Sequence, residues 1–462
     1  MPNPFRNLPS VNQLLEIEPL KKMVKTVNHN VVADGVRTFL DDLRTQVSTA
    51  AEDIAIPTAS EIATRVADWL EKSEQPALRP VINGTGILLH TGLGRAPLCS
   101  DAINAVSDIA SGYASVELDL ASGNRGQRIR AVESILCELT GAEAAAVVNN
   151  NAAATMLALA ALASGKEVVV SRGQLIEIGG SYRLPDVMKC SGCELREVGT
   201  TNKTHPADFE NAIGENTGAL LKVHPSNFEV VGFTRSVSLE EMVHIGNQHN
   251  IPVIDDVGSG ALVDFSRFGL SDEPVVSQSV KQGADVVLFS GDKLVGGPQC
   301  GIIVGKKKHV QRILRNPLMR AMRVGKMTLA ALNATLLCYR NQDLDGNQIP
   351  LLRMLSIPNE NLKLRAGKIA EQIEHLSGFK SAIAEPCQSM LGGGSVPTQQ
   401  IDSWCVSMET ESMSVDALAN QLRNDEPAVI GRIHNDRLVL DLRTIHPQYD
   451  ILLVELLSKV VG

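Results

Sequence analysis

At 462 residues, 44% of them hydrophobic and 21% charged, the chain has the balance of a globular protein large enough for two or three domains. A net charge of −9 argues against a broadly basic nucleic-acid-binding surface. The longest apolar run, Ala152 to Ala163, is too short to span a bilayer, so no membrane partner is expected. The opening MPNPFRNLPSV lacks a basic stretch followed by an apolar one, so no secretory signal is expected, and eight scattered cysteines point to a reduced, cytoplasmic setting.

The first 75 residues read as helices only. Ser10-x-x-Gln13 and Thr58-x-x-Glu61 have the form of capping boxes. Val32, Val36, Phe39, Leu40, Leu43 and Val47 make an apolar stripe at helical spacing, as do Ile62, Val66, Trp69 and Leu70. With eight basic against eleven acidic residues this helical module shows no nucleic-acid footprint beyond Lys21-Lys22-x-x-Lys25. Pro76 and Pro80 mark a linker, assigned to residues 76–92.

From Val81 the texture changes. Strand-like runs (AAAVV, KEVVVS, GALLKVH, IPVID, ADVVLFS, CGIIVG) alternate with helical stretches such as Leu239 to Asn250. The alternation predicts an α/β core over residues 93–349 around a largely parallel sheet. In Ile82-Asn-Gly-Thr-Gly-Ile-Leu-Leu-His-Thr-Gly-Leu-Gly-Arg-Ala-Pro97 neither glycine pair has the third glycine of a dinucleotide fingerprint. Cys190-Ser-Gly-Cys193 is a single CxxC with no second ligand pair nearby, which argues against zinc. Residues 350–462 read as a smaller α/β domain, with a helix over Glu360 to Leu376, a loop at Gly392-Gly-Gly-Ser395 and a strand in RLVLDLRTI.

Ligand sites of such sheets lie beyond the carboxyl ends of strands, and three polar groups fall there. Asn149-Asn150-Asn151 follows AAAVV and opens a helix; it is placed to cap free N–H groups or to cup a phosphate. Asp255-Asp256 ends IPVIDD, where a carboxylate suits a metal, a ribose hydroxyl or a protonated ring nitrogen. Ser290-Gly-Asp-Lys293 ends ADVVLFS and leads into Gly296-Gly297-Pro298. A lysine at the end of a buried strand is partly desolvated, which favours the neutral, nucleophilic amine. His224 also stands at a strand end, as a cofactor neighbour or a hydrogen-bonded core histidine, and Asp292 either tunes the lysine or caps its turn. Behind this loop, Leu294 to Gln342 contains no acid but nine cations, among them Lys306, Lys307, Lys308, Arg320 and Arg323, a local anion site or a solvated face.

A phosphate cup, an aspartate, then Ser-x-x-Lys resembles the fold-type I pyridoxal-phosphate enzymes, with an aspartate-aminotransferase-like core. The resemblance sharpens in INGTGILLHTGLGRAPL, GGSYRLP, VIDDVGSG, LFSGDKLVGGPQCGIIVG, NPLMRAMRVGK and the opening RNLPSVNQLLE, which are similar to the bacterial selenocysteine synthases, the L-seryl-tRNA(Sec) selenium transferases. Shorter relatives share the core without a comparable helical module, so residues 1–75 favour the tRNA-dependent members.

The resemblance implies a Schiff base between Lys293 and pyridoxal 5'-phosphate, Lys293 then acting as the base for the α-proton. It implies Asp255, with Asp256 as the alternative, at the pyridinium nitrogen, and Ser290 with Asn149, Asn150 and Asn151 around the phosphate. It further implies loss of water from seryl-tRNA(Sec) to give an aminoacrylyl-tRNA, then selenium addition from selenophosphate, with no metal required. Arg95, Arg320 and Arg323 are implied as anion ligands for selenophosphate, Arg320 and Arg323 being three apart and hence neighbours on a helix face. The helical module is expected to grip tRNA, and the assembly to be a homo-oligomeric ring of dimers, a decamer by family resemblance.

Overall fold

The computed structural model describes residues 8–49, 57–74, 76–180, 182–225, 227–271, 273–341 and 348–461. Arg6, Asn7, Ser181, Gln342 and the side chain of Val47, all named above, lie outside that description.

Among the described residues, four helices build the unit that ends at Pro80: α1 (Val11–Leu15), α2 (Leu20–Thr26), α3 (His29–Thr49) and α4 (Ala59–Glu74). Ser10 and Gln13 form a reciprocal capping box at the start of α1, and Thr58 and Glu61 exchange the same bonds before α4. The predicted stripes meet inside, where Leu14, Leu20, Val32, Val36, Leu40, Ile62, Val66 and Leu70 form one core. Phe39 and Trp69 close its edge, ring against ring edge at 6.5 Å.

The second unit, Val81–Gly462, is built on a seven-stranded sheet. Its strands are β1 (Ala144–Val148), β2 (Glu167–Ser171), β3 (Glu194–Val198), β4 (Thr217–Val223), β5 (Val253–Gly258), β6 (Val286–Ser290) and β7 (Gly301–Gly305). They lie in the order β1-β7-β6-β5-β4-β2-β3, with β7 antiparallel to both neighbours and the other pairings parallel. Central strands of such a sheet are covered on both faces, which is why they read as unbroken apolar runs. Helix α5 (Asn151–Ala163), apolar nearly all round, packs Leu157 and Leu159 on one face against Val168, Leu221, Ile254 and Leu288. The opposite face, with Val147, Val169, Val253 and Val287, is covered by side chains such as Ala102, Leu136 and Leu332.

A five-stranded sheet occupies the C-terminal part, centred on the long hairpin Phe379–Gly392 and Ser395–Thr410. The stretch assigned to a linker supplies one of its five strands and one strand of a separate two-stranded sheet. Val81–Asn83 pairs in parallel with Ala428–Ile430, and Ile87–Leu89 pairs in parallel with the end of Phe379–Gly392. The glycines between them fit this packing: Gly86 has φ +75°, and a Cβ there would overlap the buried carboxylate of Asp441. Three-residue strands carry no readable alternation, so tertiary pairing alone reveals them. Among the described residues no helix is long and apolar enough to cross a membrane.

Candidate active site

Strand β6 ends at Ser290, and the chain folds back within ten residues to enter β7. The return loop is held by its own backbone: Gly291 N–H donates to Cys300 O at 2.8 Å, Gly297 N–H to Gly291 O at 2.9 Å, and Leu294 N–H to Ser259 O at 3.1 Å. The hydroxyl of Tyr339 adds a clamp from outside, shared between Leu294 O at 3.2 Å and Val295 O at 3.0 Å. Lys293 is carried by this loop and is only 6% exposed. Burial lowers its amine pKa below the ordinary 10.5, and the nearby Arg95 guanidinium lowers it further; Asp256, Asp292 and Glu273 pull the other way.

The two adjacent aspartates part company because successive strand residues point to opposite faces. Asp256 faces α5, where its carboxylate accepts Asn151 Nδ2–H at 2.8 Å, Thr155 Oγ1–H at 2.8 Å and Gly258 N–H at 3.2 Å, and it lies close enough to Lys293 for the charges to interact. Desolvation raises its pKa, and the Asn151 and Thr155 bonds temper the rise. Asp255 points to the other face, toward Ser279 and Lys222, and burial pushes its pKa up to about 6. Lys222 is a half-buried amine with a pKa lowered by desolvation, and its Nζ donates to Val237 O at 2.8 Å. Asp255, Lys222 and His224 line a cavity of about 510 Å³ that also takes in Gln174, Arg235 and Gln399. The sequence reading prefers Asp255 with Asp256 as the alternative; in the structure it is Asp256 whose charge interacts with Lys293, while Asp255 faces Lys222. Strand position made both carboxylates candidates, and only the packing of α5 separates them.

The three asparagines do different things. Asn149 donates its N–H to Met322 O at 2.9 Å, Asn150 is the helix cap whose side chain accepts Ala153 N–H at 2.8 Å, and Asn151 reaches Asp256. Capping leaves the N–H groups of Asn151 and Ala152 at the positive end of α5 without a hydrogen bond among the described residues. Ser290, buried at the end of β6, closes the same edge: its partner Gly301 packs so tightly on Asn150 O that a Cβ there would overlap it.

Arg95 sits in a left-handed conformation (φ 62°) and bonds Asp292 Oδ2 at 2.8 Å, which brings it beside Lys293. Arg320 and Arg323 do not share a helix face. The helix Leu318–Met322 ends before Arg323, whose extended backbone bridges to Val148 and whose guanidinium lies 3.5 Å from Glu117. Arg320 is exposed. Lys306 belongs elsewhere, paired with Asp285 at 2.9 Å. His224 N–H donates to Asp256 O at 2.9 Å at the strand edge. Cys193 is buried, with its thiol pushed up to about 11 by desolvation. Glu273, Thr155 and Tyr339 were not singled out from sequence; each lies outside a recognisable motif.

Pyridoxal phosphate fits this donor set. The edge offers an amine kept out of water, a carboxylate on the neighbouring strand, a helix N terminus with open N–H groups, and a buried Asn151 Oδ1 without a hydrogen-bond partner among the described residues. Fold and site together define a fold-type I pyridoxal-phosphate enzyme. The fold is shared with D-glucosaminate-6-phosphate ammonia-lyase, at a TM-score of 0.56 and 22% identity over 83% of this chain and 96% of that one. Residues 81–446 match the family model of L-seryl-tRNA selenium transferase, and residues 5–44 match that of the selenocysteine synthase N terminus. L-seryl-tRNA(Sec) selenium transferases of Geobacter metallireducens and Clostridium botulinum strain Okra are 46% and 43% identical, over 96% and 99% of this chain and 96% and 98% of theirs. The chain belongs to the L-seryl-tRNA selenium transferase family.

Proposed function

We propose that this protein converts seryl-tRNA(Sec) to selenocysteinyl-tRNA(Sec) with selenophosphate as the selenium donor. The observation that carries the reading is the buried Lys293 amine flanked by Asp256 and Arg95, in a chain that matches the family over nearly its whole length. Bound pyridoxal phosphate supplies an electron sink for the bond broken at the substrate's α-carbon. Lys293 Nζ, its charge disfavoured by burial, would hold the cofactor, and its free amine would be placed to take the α-proton. Asp256, its carboxylate fixed by Asn151 and Thr155, would keep the ring nitrogen of the cofactor protonated. Ser290 and the N–H groups of Asn151 and Ala152 bind the cofactor's phosphate.

Arg95, Arg320 and Arg323 receive selenophosphate in this reading. The serine carboxylate is esterified to tRNA and carries no charge, so it requires no arginine of its own. The place of Arg95 beside Lys293 and of the Arg323 backbone beside Val148 favours the assignment. The helical unit before Pro80 grips the tRNA, and the protein works as a cytoplasmic homo-oligomer, a ring of dimers. The test offers seryl-tRNA(Sec), seryl-tRNA(Ser) and free serine separately with selenophosphate. Only seryl-tRNA(Sec) is expected to yield selenocysteine; equal turnover of free serine would replace this reading with a tRNA-independent lyase or transferase.

A further inference from the structure

Lys293 faces three carboxylates. Asp256 and Asp292 stand at strand end and loop, but Glu273 comes from a segment with no motif. Glu273 is 8% exposed and both of its oxygens are engaged. Oε2 accepts Ser259 Oγ–H at 2.5 Å, and Oε1 accepts Val396 N–H at 3.2 Å. The two partners belong to different parts of the unit. Ser259, fully buried, accepts Leu294 N–H through its own carbonyl, one residue past Lys293. Val396 lies at the start of Ser395–Thr410, the hairpin strand of the C-terminal sheet, just after the Gly392-Gly393-Gly394 tip.

Val396 also has φ 37°, a conformation that a β-branched side chain opposes, so its backbone stays there only where neighbours hold it. Its N–H is held by Glu273. The segment bearing Glu273 is itself anchored three residues on, where Val276 N–H donates to Ala261 O at 2.9 Å. One carboxylate therefore joins the hairpin tip to the lysine loop through a serine.

We propose that Glu273 is a positioning residue for the reaction, tying the Ser395–Thr410 strand to the Lys293 loop by way of Ser259 while it places a negative charge toward the lysine. The second half rests on the reading of Lys293 as the cofactor lysine; the tie itself does not. The groups facing Lys293 are Arg95, Asp256, Asp292 and Glu273; burial raises the Glu273 carboxyl above its ordinary range, while the Ser259 and Val396 bonds and the lysine favour its ionised form, and loss of that charge shifts the balance toward the unprotonated lysine nitrogen.

The experiment measures amide hydrogen exchange at Leu294 and Val396 in the full-length holoenzyme, together with the pH titration of the bound cofactor's visible absorbance. Glu273→Ala is expected to speed exchange at both amides by about 10- to 100-fold, the loss of a buried hydrogen-bonded acceptor. Ser259→Ala is expected to speed Leu294 and leave Val396 unchanged. Glu273→Gln keeps acceptor oxygen and shape, so Val396 stays protected while the absorbance midpoint moves to lower pH. Unchanged exchange at both amides in Glu273→Ala, or a uniform rise across the whole unit, would overturn the tie. If Glu273→Ala does not fold, the Ser259→Ala and Glu273→Gln arms decide it by the same two amides. A Glu273→Gln midpoint equal to wild type would overturn the charge role. A wild-type protein with no visible band would refute the Lys293 reading and leave the exchange arms to decide the tie.

Discussion

The replacement Asp256→Asn, set beside Asp255→Asn, separates two neighbouring carboxylates that sequence position treats alike. Asp256 accepts hydrogen bonds from Asn151, Thr155 and Gly258 and faces the Lys293 amine. An amide at this position removes the charge and turns an NH₂ donor toward groups that already donate. Breaking a buried charge pair on one side costs about 3–5 kcal/mol, which as a barrier is about 160- to 5,000-fold in rate. Asp255 faces Lys222 and Ser279 across the sheet, so its amide variant is expected to keep activity within about tenfold of wild type. The assay is kcat/KM for seryl-tRNA(Sec), with visible absorbance reporting cofactor retention and a thermal melt confirming the fold. A small loss in Asp256→Asn, or a larger one in Asp255→Asn, would refute the division of the two faces.

Three further outcomes follow from the same geometry. Because the folded-state pKa of Lys293 is depressed, the unfolded chain binds more protons between that lowered pKa and 10.5, and stability rises with pH across the window. Cofactor-free Lys293→Met should therefore melt above cofactor-free wild type at pH 7, by a margin that shrinks as pH approaches the ordinary lysine value; a constant margin would contradict burial as the cause. Arg95→Ala should raise KM for selenophosphate by about 10- to 100-fold through loss of a charge-assisted contact while leaving KM for seryl-tRNA(Sec) unchanged. The opposite pattern would make Arg95 an RNA ligand. Tyr339→Phe strips the shared donor from two carbonyls of the lysine loop and should cost about 1–3 kcal/mol in denaturant unfolding; no measurable loss would show that the loop holds itself.

Much of this site was legible in the sequence because its residues sit where strands end. Lys293, Ser290 and the asparagines follow apolar runs that become β6 and β1. What escaped depended on tertiary packing. Asp255 and Asp256 differ only in which face α5 covers. Arg320 and Arg323 have helical spacing, but a single short helix ends between them and the second pairs with Val148 instead. Val81–Asn83 and Ile87–Leu89 became strands because distant partners are available to them, Ala428–Ile430 and the end of the Phe379 hairpin strand. Glu273 is an ordinary acid in a loop sequence, and only its burial between Ser259 and Val396 marks it.

The central claim is that the chemistry is organised on Lys293 beside Asp256. A rival amine exists in the same unit, since Lys222 is half-buried, also depressed in pKa, and faces the other aspartate. Reducing the cofactor onto the holoenzyme with borohydride and mapping the peptides distinguishes them in one measurement. The pyridoxyl group is expected on Lys293, in the peptide that begins after Lys281 and ends at Lys306. Its recovery on Lys222 would contradict the account and move the active site to the Asp255 face.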